Sequence, residues 1–154
     1  MKPCILSTLA YLERDGKFLM LYRNKKPNDV NGGKWIGVGG KLEENESPTE
    51  CMIREVREET GLTVTGYTFL GVITFVSDTW DNEEMFLYKC DSFEGELTED
   101  CPEGELKWIP KEDIMNLSLW EGDRYFLKDI CEGKERIMLK LSYHGDELVE
   151  VKRE

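Results

Sequence analysis

The stretch GGKLEENESPTECMIREVREETGL, residues 39–62, concentrates acidic side chains in the middle of the chain, with seven glutamates from Glu43 to Glu59. Ser47-Pro48-Thr49-Glu50 matches a capping box with proline at the first helical position. Gly61 stands where the C-terminal cap of a helix belongs. The pattern therefore predicts a helix over residues 48–60.

This helix has two neighbouring faces of opposite character, given about 100° of rotation per residue. The predicted core face consists of Thr49, Met52, Ile53, Val56 and Thr60. Glu55, Glu58 and Glu59 form the acidic face, and like charges at this spacing destabilise a helix by roughly 0.2–0.5 kcal/mol per pair. Arg54 and Arg57 are expected on a different face, from which they cannot neutralise all three acids.

A bound divalent cation would relieve the repulsion within the acidic face. The two glycines before the helix, Gly39 and Gly40, allow backbone to approach a ligand closely. Oxygen ligands without histidine or thiolate are typical of Mg²⁺, with Mn²⁺ as a possible substitute. The acidic helix therefore predicts a metal site, whereas a solvated helix face is the alternative explanation.

The composition of the chain excludes several classes of function. A formal net charge of −12 over 154 residues disfavours binding to duplex nucleic acid or to an anionic membrane. A small anionic substrate would need a counter-cation, which again favours a divalent metal. His144 is the only histidine, which argues against a Ser-His-Asp triad and a histidine-rich zinc site. No protein partner is predicted.

The length suits one domain over residues 1–154. No apolar run approaches the ~20 residues of a membrane span, and the N-terminal CILSTLAYL is too short for a signal peptide. Five scattered cysteines without a CxxC pair are typical of reduced thiols. The protein is therefore expected to be cytoplasmic.

Strand-like segments dominate the rest of the sequence. Residues 4–12 and 17–23 are predicted strands joined by a hairpin at Asp15-Gly16. Further strands are predicted at KWIGV, ended by Gly39-Gly40, and at 62–77, 84–90 and ELKWI. PKEDI is expected to start a short helix, GDRYFLKDICEG to form a second amphipathic helix closed by Gly133, and the C-terminal segment to form a hairpin turning at His144-Gly145. This order predicts an α+β fold, an α/β/α sandwich with a mixed sheet.

The acidic stretch also fits the pattern G-x5-E-x7-R-E-U-x-E-E-x-G-U, where U is aliphatic. The matching residues are Gly40, Glu46, Arg54, Glu55, Val56, Glu58, Glu59, Gly61 and Leu62. The sequence thus resembles the Nudix hydrolases, which implies a mixed, mainly antiparallel sheet and hydrolysis of a nucleoside diphosphate linked to another group.

The resemblance also implies roles for individual residues. The metal ligands would be Glu55, Glu58 and Glu59, near the carbonyl group of Gly40. Arg54 would orient a glutamate by a salt bridge, and Glu46 would brace the loop. A distant acid would complete the metal shell, with Glu103 the first candidate and Glu105 the second. The identity of the general base among the glutamates stays open.

Motifs outside the acidic stretch are similar to those of MutT-like enzymes that hydrolyse 8-oxo-dGTP in nucleotide-pool sanitation. In that branch Arg23 and Lys41 would contact phosphates. Within LWEGDRYF, Trp120 would stack on the base and Asp123 would hydrogen-bond its edge. The similarity is incomplete at the base pocket, where Ile36 replaces an asparagine and Gly122-Asp123 replaces a pair of aspartates.

Two alternatives remain open at this level. One is a Nudix hydrolase of a different substrate, such as a canonical dNTP, a dinucleoside polyphosphate or a nucleotide sugar. The other is a non-catalytic nucleotide-binding module, which the intact set of acidic residues disfavours.

Overall fold

The computed structural model describes residues 2–154; Met1, which the predicted domain includes, lies outside the described residues. The strands are β1 (Cys4–Arg14), β2 (Lys17–Arg23), β3 (Trp35–Ile36), β4 (Val38–Lys41), β5 (Thr63–Ser77), β6 (Asn82–Glu94), β7 (Gly104–Pro110), β8 (Leu139–His144) and β9 (Glu147–Arg153). The α-helices are α1 (Pro48–Thr60) and α2 (Glu121–Cys131), and a 3₁₀ helix spans Lys111–Asn116. Within residues 2–154, no helix is both long and apolar enough to cross a bilayer.

The strands form a mixed sheet in the order β3-β2-β1-β6-β5-β8-β9. The pairs β1–β6 and β5–β8 are parallel, and the other pairs are antiparallel. β1 pairs with β2 only near the hairpin, and farther from that turn its same edge pairs with β4. β2 also pairs with β7 along its length. The divergence of β2 from β1 makes room for β4 beside the centre of the sheet.

Each face of the sheet is covered by one helix. Alternation along the strands separates the core into two clusters, because neighbouring residues of a strand point to opposite faces. On one face, Leu9 and Tyr11 pack with Phe126 and Leu127 of α2. On the other, Ala10, Leu12 and Leu19 pack with Met52 and Val56 of α1. The predicted α/β/α sandwich with a mixed, mainly antiparallel sheet is confirmed.

Helix α1 has the bounds that the sequence predicts. The Ser47 hydroxyl accepts a hydrogen bond from the Glu50 amide at 3.1 Å, and the Glu50 carboxylate accepts one from the Ser47 amide at 3.0 Å. Gly61 adopts the left-handed conformation, with φ of 80°, and its amide donates to the Arg57 carbonyl oxygen. The core face differs from the prediction, because Cys51 and Glu59 are buried while Thr49 and Ile53 are only partly buried.

The predicted end of the third strand at Gly39-Gly40 is wrong. Both glycines lie inside β4, where Gly39 pairs with Leu9 and Gly40 with Thr8. A Cβ atom at Gly39 would overlap the Thr8 carbonyl group, so only glycine lets β4 approach β1 this closely. The glycine pair therefore continues the strand at a point of close backbone contact.

Other predicted elements need smaller corrections. The terminal hairpin turns at Gly145-Asp146 instead of His144-Gly145, because His144 still pairs with Glu147. β6 is longer than predicted because its pairing with β5 and β1 recruits polar residues at both ends. The hairpin at Asp15-Gly16 is confirmed, with positive φ at both residues. The five cysteines, all within the described residues, are free thiols as predicted.

The capping box provides a test of the role of α1 in folding. We expect Ser47→Ala to lower the free energy of unfolding by about 1 kcal/mol. The Glu50 amide loses its acceptor, and the reciprocal hydrogen bond from the Ser47 amide to Glu50 becomes less ordered. Urea denaturation with an unchanged m-value measures this loss. Ser118→Ala, at an exposed serine, is the matched control and should stay within about 0.5 kcal/mol of wild type. Equal stability of the Ser47 and Ser118 variants would contradict the capping role.

Candidate active site

One cavity of roughly 730 Å³ collects most of the residues predicted from sequence. This volume lies in the usual range for small-ligand sites. The predicted residues that line the cavity are Arg23, Ile36, Gly40, Lys41, Arg54, Glu55, Glu59, Glu103, Trp120 and Asp123. Glu58 and Glu105 are not among its lining residues: the Glu58 side chain is 57% exposed, and Glu105 is exposed on β7.

Arg54 organises the start of the acidic segment. Its guanidinium group binds both carboxylate oxygens of Glu46, at 2.7 and 2.9 Å, and donates to the Lys41 carbonyl oxygen. This bidentate pair lowers the pKa of Glu46 to about 2. The same guanidinium contacts Glu55 at 2.8 Å and Glu58 at 3.1 Å. The long side chain of Arg54 therefore reaches two of the three acids, which agrees with the expectation that the helix arginines cannot neutralise all three.

Glu59 is the member of the acidic face that Arg54 does not reach. Its side chain is buried, and its carboxylate accepts a hydrogen bond from the Gly39 amide at 3.0 Å. Burial, together with the negative charges of Glu55 and Glu103, raises the pKa of Glu59 to about 8. Nothing in residues 2–154 forms an ion pair with it. The carboxylate is therefore held in place by one hydrogen bond in a site that disfavours its charge.

Gly40 lies directly against Glu55. A Cβ atom at Gly40 would be 2.6 Å from the carboxyl carbon of Glu55. The space that glycine leaves is thus filled by the carboxylate, which brings the β4 backbone and an acidic side chain of α1 together. Burial raises the pKa of Glu55, and the negative charges of Glu58 and Glu103 act in the same direction.

Glu103, the residue immediately before β7, lines the cavity. Its carboxylate is bound by Arg23 at 2.9 Å and by Lys26 at 2.7 Å. Arg23 is also fixed by Asp29 at 2.8 Å. The sequence left open whether Glu103 or Glu105 joins the acidic helix, and it is Glu103 that enters the cavity.

The donor set fits a hard divalent cation in its chemistry. Glu55, Glu59 and Glu103 offer carboxylate oxygens. Burial, with the neighbouring carboxylates, raises the pKa of Glu55 and Glu59, and a bound cation would oppose this shift. No group of three acidic, histidine or cysteine side chains in the described part of the chain is close enough together to hold a metal ion. Arg54 holds Glu55 and Glu58 while Arg23 and Lys26 hold Glu103, so cation binding requires these carboxylates to turn toward Glu59.

Trp120 lies in the same cavity, immediately before α2. Its indole N–H donates to the Asn31 side-chain oxygen at 2.9 Å. The Lys34 ammonium group lies 5.3 Å from the ring centroid, and the Tyr143 ring meets the indole at 84° with centroids 5.5 Å apart. These three contacts fix the orientation of the aromatic plane.

Asp123 is buried in the first turn of α2, with 5% of its surface exposed. Burial raises its pKa to about 7; the nearby charge of Glu83 adds to this effect and that of Lys34 opposes it. Near neutral pH the carboxyl group therefore exists in both protonation states. It can donate a hydrogen bond in one state and only accept in the other.

The chain is similar in sequence to proteins of one known family. The profile of the NUDIX domain family matches residues 6–130. A Nudix hydrolase of Bacillus subtilis, YvcI, is 34% identical over 131 residues, which cover 82% of this chain and 79% of that protein. The chain belongs to the Nudix hydrolase family. Nudix hydrolases generally use divalent metals such as Mg²⁺.

Two further proteins resemble this Nudix hydrolase over nearly its whole length. An oxidized purine nucleoside triphosphate hydrolase of Danio rerio is 27% identical over 146 residues, covering 94% of this chain and 90% of that protein. The crystal structure of the mutator MutT protein of Bacillus halodurans has a TM-score of 0.85 and 28% identity, with 96% of each chain covered. The latter confirms the predicted Nudix-type fold.

Several cavity residues of this Nudix hydrolase were missed by sequence reasoning. They are Asn31, Glu83 and Tyr143, and Lys34, which contacts the Trp120 ring without lining the cavity, was missed as well. Glu83 lies two residues before the core residue Met85 on β6, so the alternation of the strand was a usable signal. Asn31 and Lys34 belong to an irregular loop, and no periodic pattern places their side chains.

The buried carboxyl group of Asp123 predicts a pH-dependent stability. The folded state keeps its proton up to about pH 7 whereas the unfolded state loses it near pH 4, so wild-type stability falls as pH rises between these values. Asp123→Asn removes this loss. The unfolding free energy of the variant relative to wild type should therefore increase from pH 4 to 7 and then level off. Urea denaturation across this range measures it, with exposed Asp113→Asn as control; a difference that does not depend on pH would contradict the assignment.

Mg²⁺ should stabilise the folded protein through the acidic helix. A ligand present at about 100 times its Kd adds ~2.7 kcal/mol to the unfolding free energy. We expect Mg²⁺ to raise the thermal midpoint of wild type at constant ionic strength, and Glu59→Gln to lose most of this rise. In EDTA at pH 9, the same variant should be more stable than wild type because it removes a buried charge.

Glu44→Gln is the matched control, because it makes the same charge change at an exposed position of the preceding loop. It should keep the full response to Mg²⁺. A response of the Glu59 variant equal to that of the Glu44 variant would remove Glu59 from the metal site.

Proposed function

We propose that this Nudix hydrolase is a Mg²⁺-dependent nucleoside triphosphate pyrophosphohydrolase that converts 8-oxo-dGTP and water to 8-oxo-dGMP and pyrophosphate. The observation that carries the proposal is that one cavity contains both Glu55 and Glu59 of α1 and the Trp120–Asp123 pair. The first set suits the phosphates of a nucleotide and the second suits its base. The role that follows is removal of an oxidised, mutagenic precursor from the nucleotide pool.

At the phosphate end, acidic residues would bind the cation and basic residues would bind the phosphates. Glu55, Glu58, Glu59 and Glu103 would hold the cation, together with the Gly40 carbonyl oxygen. When bound, a divalent cation neutralises phosphate charge and activates water for attack on phosphorus. Arg23 and Lys41 both line the cavity and supply positive charge for the phosphates. A phosphate on Arg23 would compete with Asp29 and Glu103 for the guanidinium group.

Glu59 has the environment of a group that accepts a proton. Its pKa of about 8 shows that burial favours the neutral form, and a nearby cation would shift the balance back toward the carboxylate. The Gly39 amide holds one of its oxygens and fixes its direction. Glu59 is therefore our candidate for the general base.

At the base end, Trp120 offers an aromatic plane whose orientation is fixed by Asn31, Lys34 and Tyr143. Asp123, three residues later, presents a carboxyl group that can be protonated near neutral pH. Such a group can donate to a purine carbonyl oxygen or accept from a purine N–H. This versatility suits an oxidised purine, in which N7 carries a proton and C8 carries an oxygen.

The similarity to the Danio rerio enzyme supports this substrate class, since it extends over 94% of this chain. The similarity to the Bacillus halodurans MutT protein supports the same branch. A second candidate is a Nudix hydrolase acting on another nucleoside diphosphate derivative. Ile36 and Gly122 favour this candidate, because they leave the base pocket with fewer polar side chains than the branch usually has.

Trp120→Ala should lower kcat/KM for every purine nucleotide, because base stacking contributes ~1–3 kcal/mol. The measurement uses a panel of nucleotides with Mg²⁺, with products separated by anion exchange. Phe69→Ala is the matched control, at an aromatic residue that is 48% exposed and does not line the cavity. Wild-type values of kcat/KM that are equal for 8-oxo-dGTP and dGTP would overturn the sanitising role, and a higher value for a dinucleoside polyphosphate would favour the second candidate.

A further inference from the structure

Tyr143, near the end of β8, lines the cavity and has no role in the proposed reaction. It is half-buried and lines the cavity together with Trp120 and Asp123. Its ring meets the Trp120 indole edge-on, at 84° and 5.5 Å between centroids. The side chain therefore packs directly against the indole on which a base would stack.

The hydroxyl group of Tyr143 uses only half of its hydrogen-bonding capacity. Its oxygen accepts a hydrogen bond from the Gly122 amide at 2.7 Å. A phenol also carries one donor proton, and no acceptor among residues 2–154 takes it. Burial raises the pKa of Tyr143, so the proton stays in place at neutral pH. The hydroxyl is thus a permanent donor, fixed through its oxygen and with a proton free to rotate toward the cavity.

Gly122 is what allows the hydroxyl to occupy this position. A Cβ atom at residue 122 would be 2.6 Å from the Tyr143 oxygen and 2.8 Å from a methyl carbon of Leu141. A larger residue would displace the tyrosine or be displaced by it. The Tyr143 hydroxyl, on β8, therefore occupies the space that a side chain at residue 122 would fill.

Asp123 and Tyr143 are close enough to influence each other, because the carboxylate contributes to the raised pKa of the phenol. Their chemistry is complementary. Asp123 can change between donor and acceptor near neutral pH, whereas the phenol keeps its proton. At the position that faces the phenol, a carbonyl oxygen can accept its proton, whereas an amino group is itself a donor and cannot match it. Asp123 can complement the neighbouring ring nitrogen in either case, because it can donate or accept.

We propose that Tyr143 is a specificity-determining residue whose hydroxyl donates a hydrogen bond to a carbonyl oxygen on the edge of the substrate base. This inference rests on the proposed function, in which Trp120 and Asp123 receive the base. A residue of β8, outside both the acidic helix and the Trp120–Asp123 segment, would then contribute to the preference for a purine with a carbonyl group over one with an amino group at the same position. If Tyr143 only supported the Trp120 ring and the start of α2, its hydroxyl would not distinguish between bases.

The test is Tyr143→Phe, which removes the hydroxyl and keeps the ring against Trp120. With Mg²⁺ present, kcat/KM is measured for 8-oxo-dGTP, which carries carbonyl groups at C6 and C8, and for dATP, which carries an amino group at C6. The ratio of the two values should fall about 3- to 10-fold, the range expected for one net hydrogen bond. The change should appear mainly in KM for 8-oxo-dGTP, because the bond forms when the base binds.

Tyr125→Phe is the matched control, since it removes a hydroxyl from a tyrosine that is 40% exposed on α2 and does not line the cavity. It should leave the ratio unchanged. A Tyr143 variant that melts at a lower temperature but keeps the wild-type ratio would overturn the inference and leave a structural role. A wild-type enzyme without preference for 8-oxo-dGTP over dATP would instead overturn the proposed function, and the inference with it.

Discussion

The hydrogen bond from the Gly39 amide to the Glu59 carboxylate joins the two elements on which the site depends. It connects β4, which lies against the centre of the sheet, to the helix that carries the acidic residues. Glycine is required on the strand side, because a side chain at Gly39 would overlap Thr8 and one at Gly40 would displace Glu55. This close approach buries Glu59 and brings Glu55 against the strand, whereas Glu58 stays exposed.

Both ends of the cavity contain a buried carboxyl group with a raised pKa, and the physical cause is the same at each. Glu59 and Asp123 lie where water cannot solvate their charge, and a neighbouring carboxylate adds to the effect. The surrounding cations are distributed differently. Arg23, Lys26 and Arg54 bind the acids around Glu59, whereas Lys34 is the positive charge near Asp123. A net charge of −12 is thus compatible with an anionic substrate because the cations are placed locally.

Local rules were sufficient for most of the fold. The bounds of α1 follow from a capping box and a glycine cap, which involve only residues within the helix and next to it. The hairpin at Asp15-Gly16 follows from turn chemistry in the same way. Local rules do not place Gly39-Gly40, because glycine is expected both at a strand end and at a close backbone contact. Only the position of Thr8 on the neighbouring strand distinguishes the two.

The sequence by itself determined that acidic side chains converge on one helix and that this helix belongs to a Nudix-type fold, because spacing along a helix converts directly into geometry. Tertiary structure decided which groups meet across elements: Arg23 and Lys26 bind Glu103, Glu103 enters the cavity while Glu105 does not, and Tyr143 lies beside Gly122. These contacts join residues far apart in the chain. Their partners depend on strand register and loop path, which no local pattern of residues encodes.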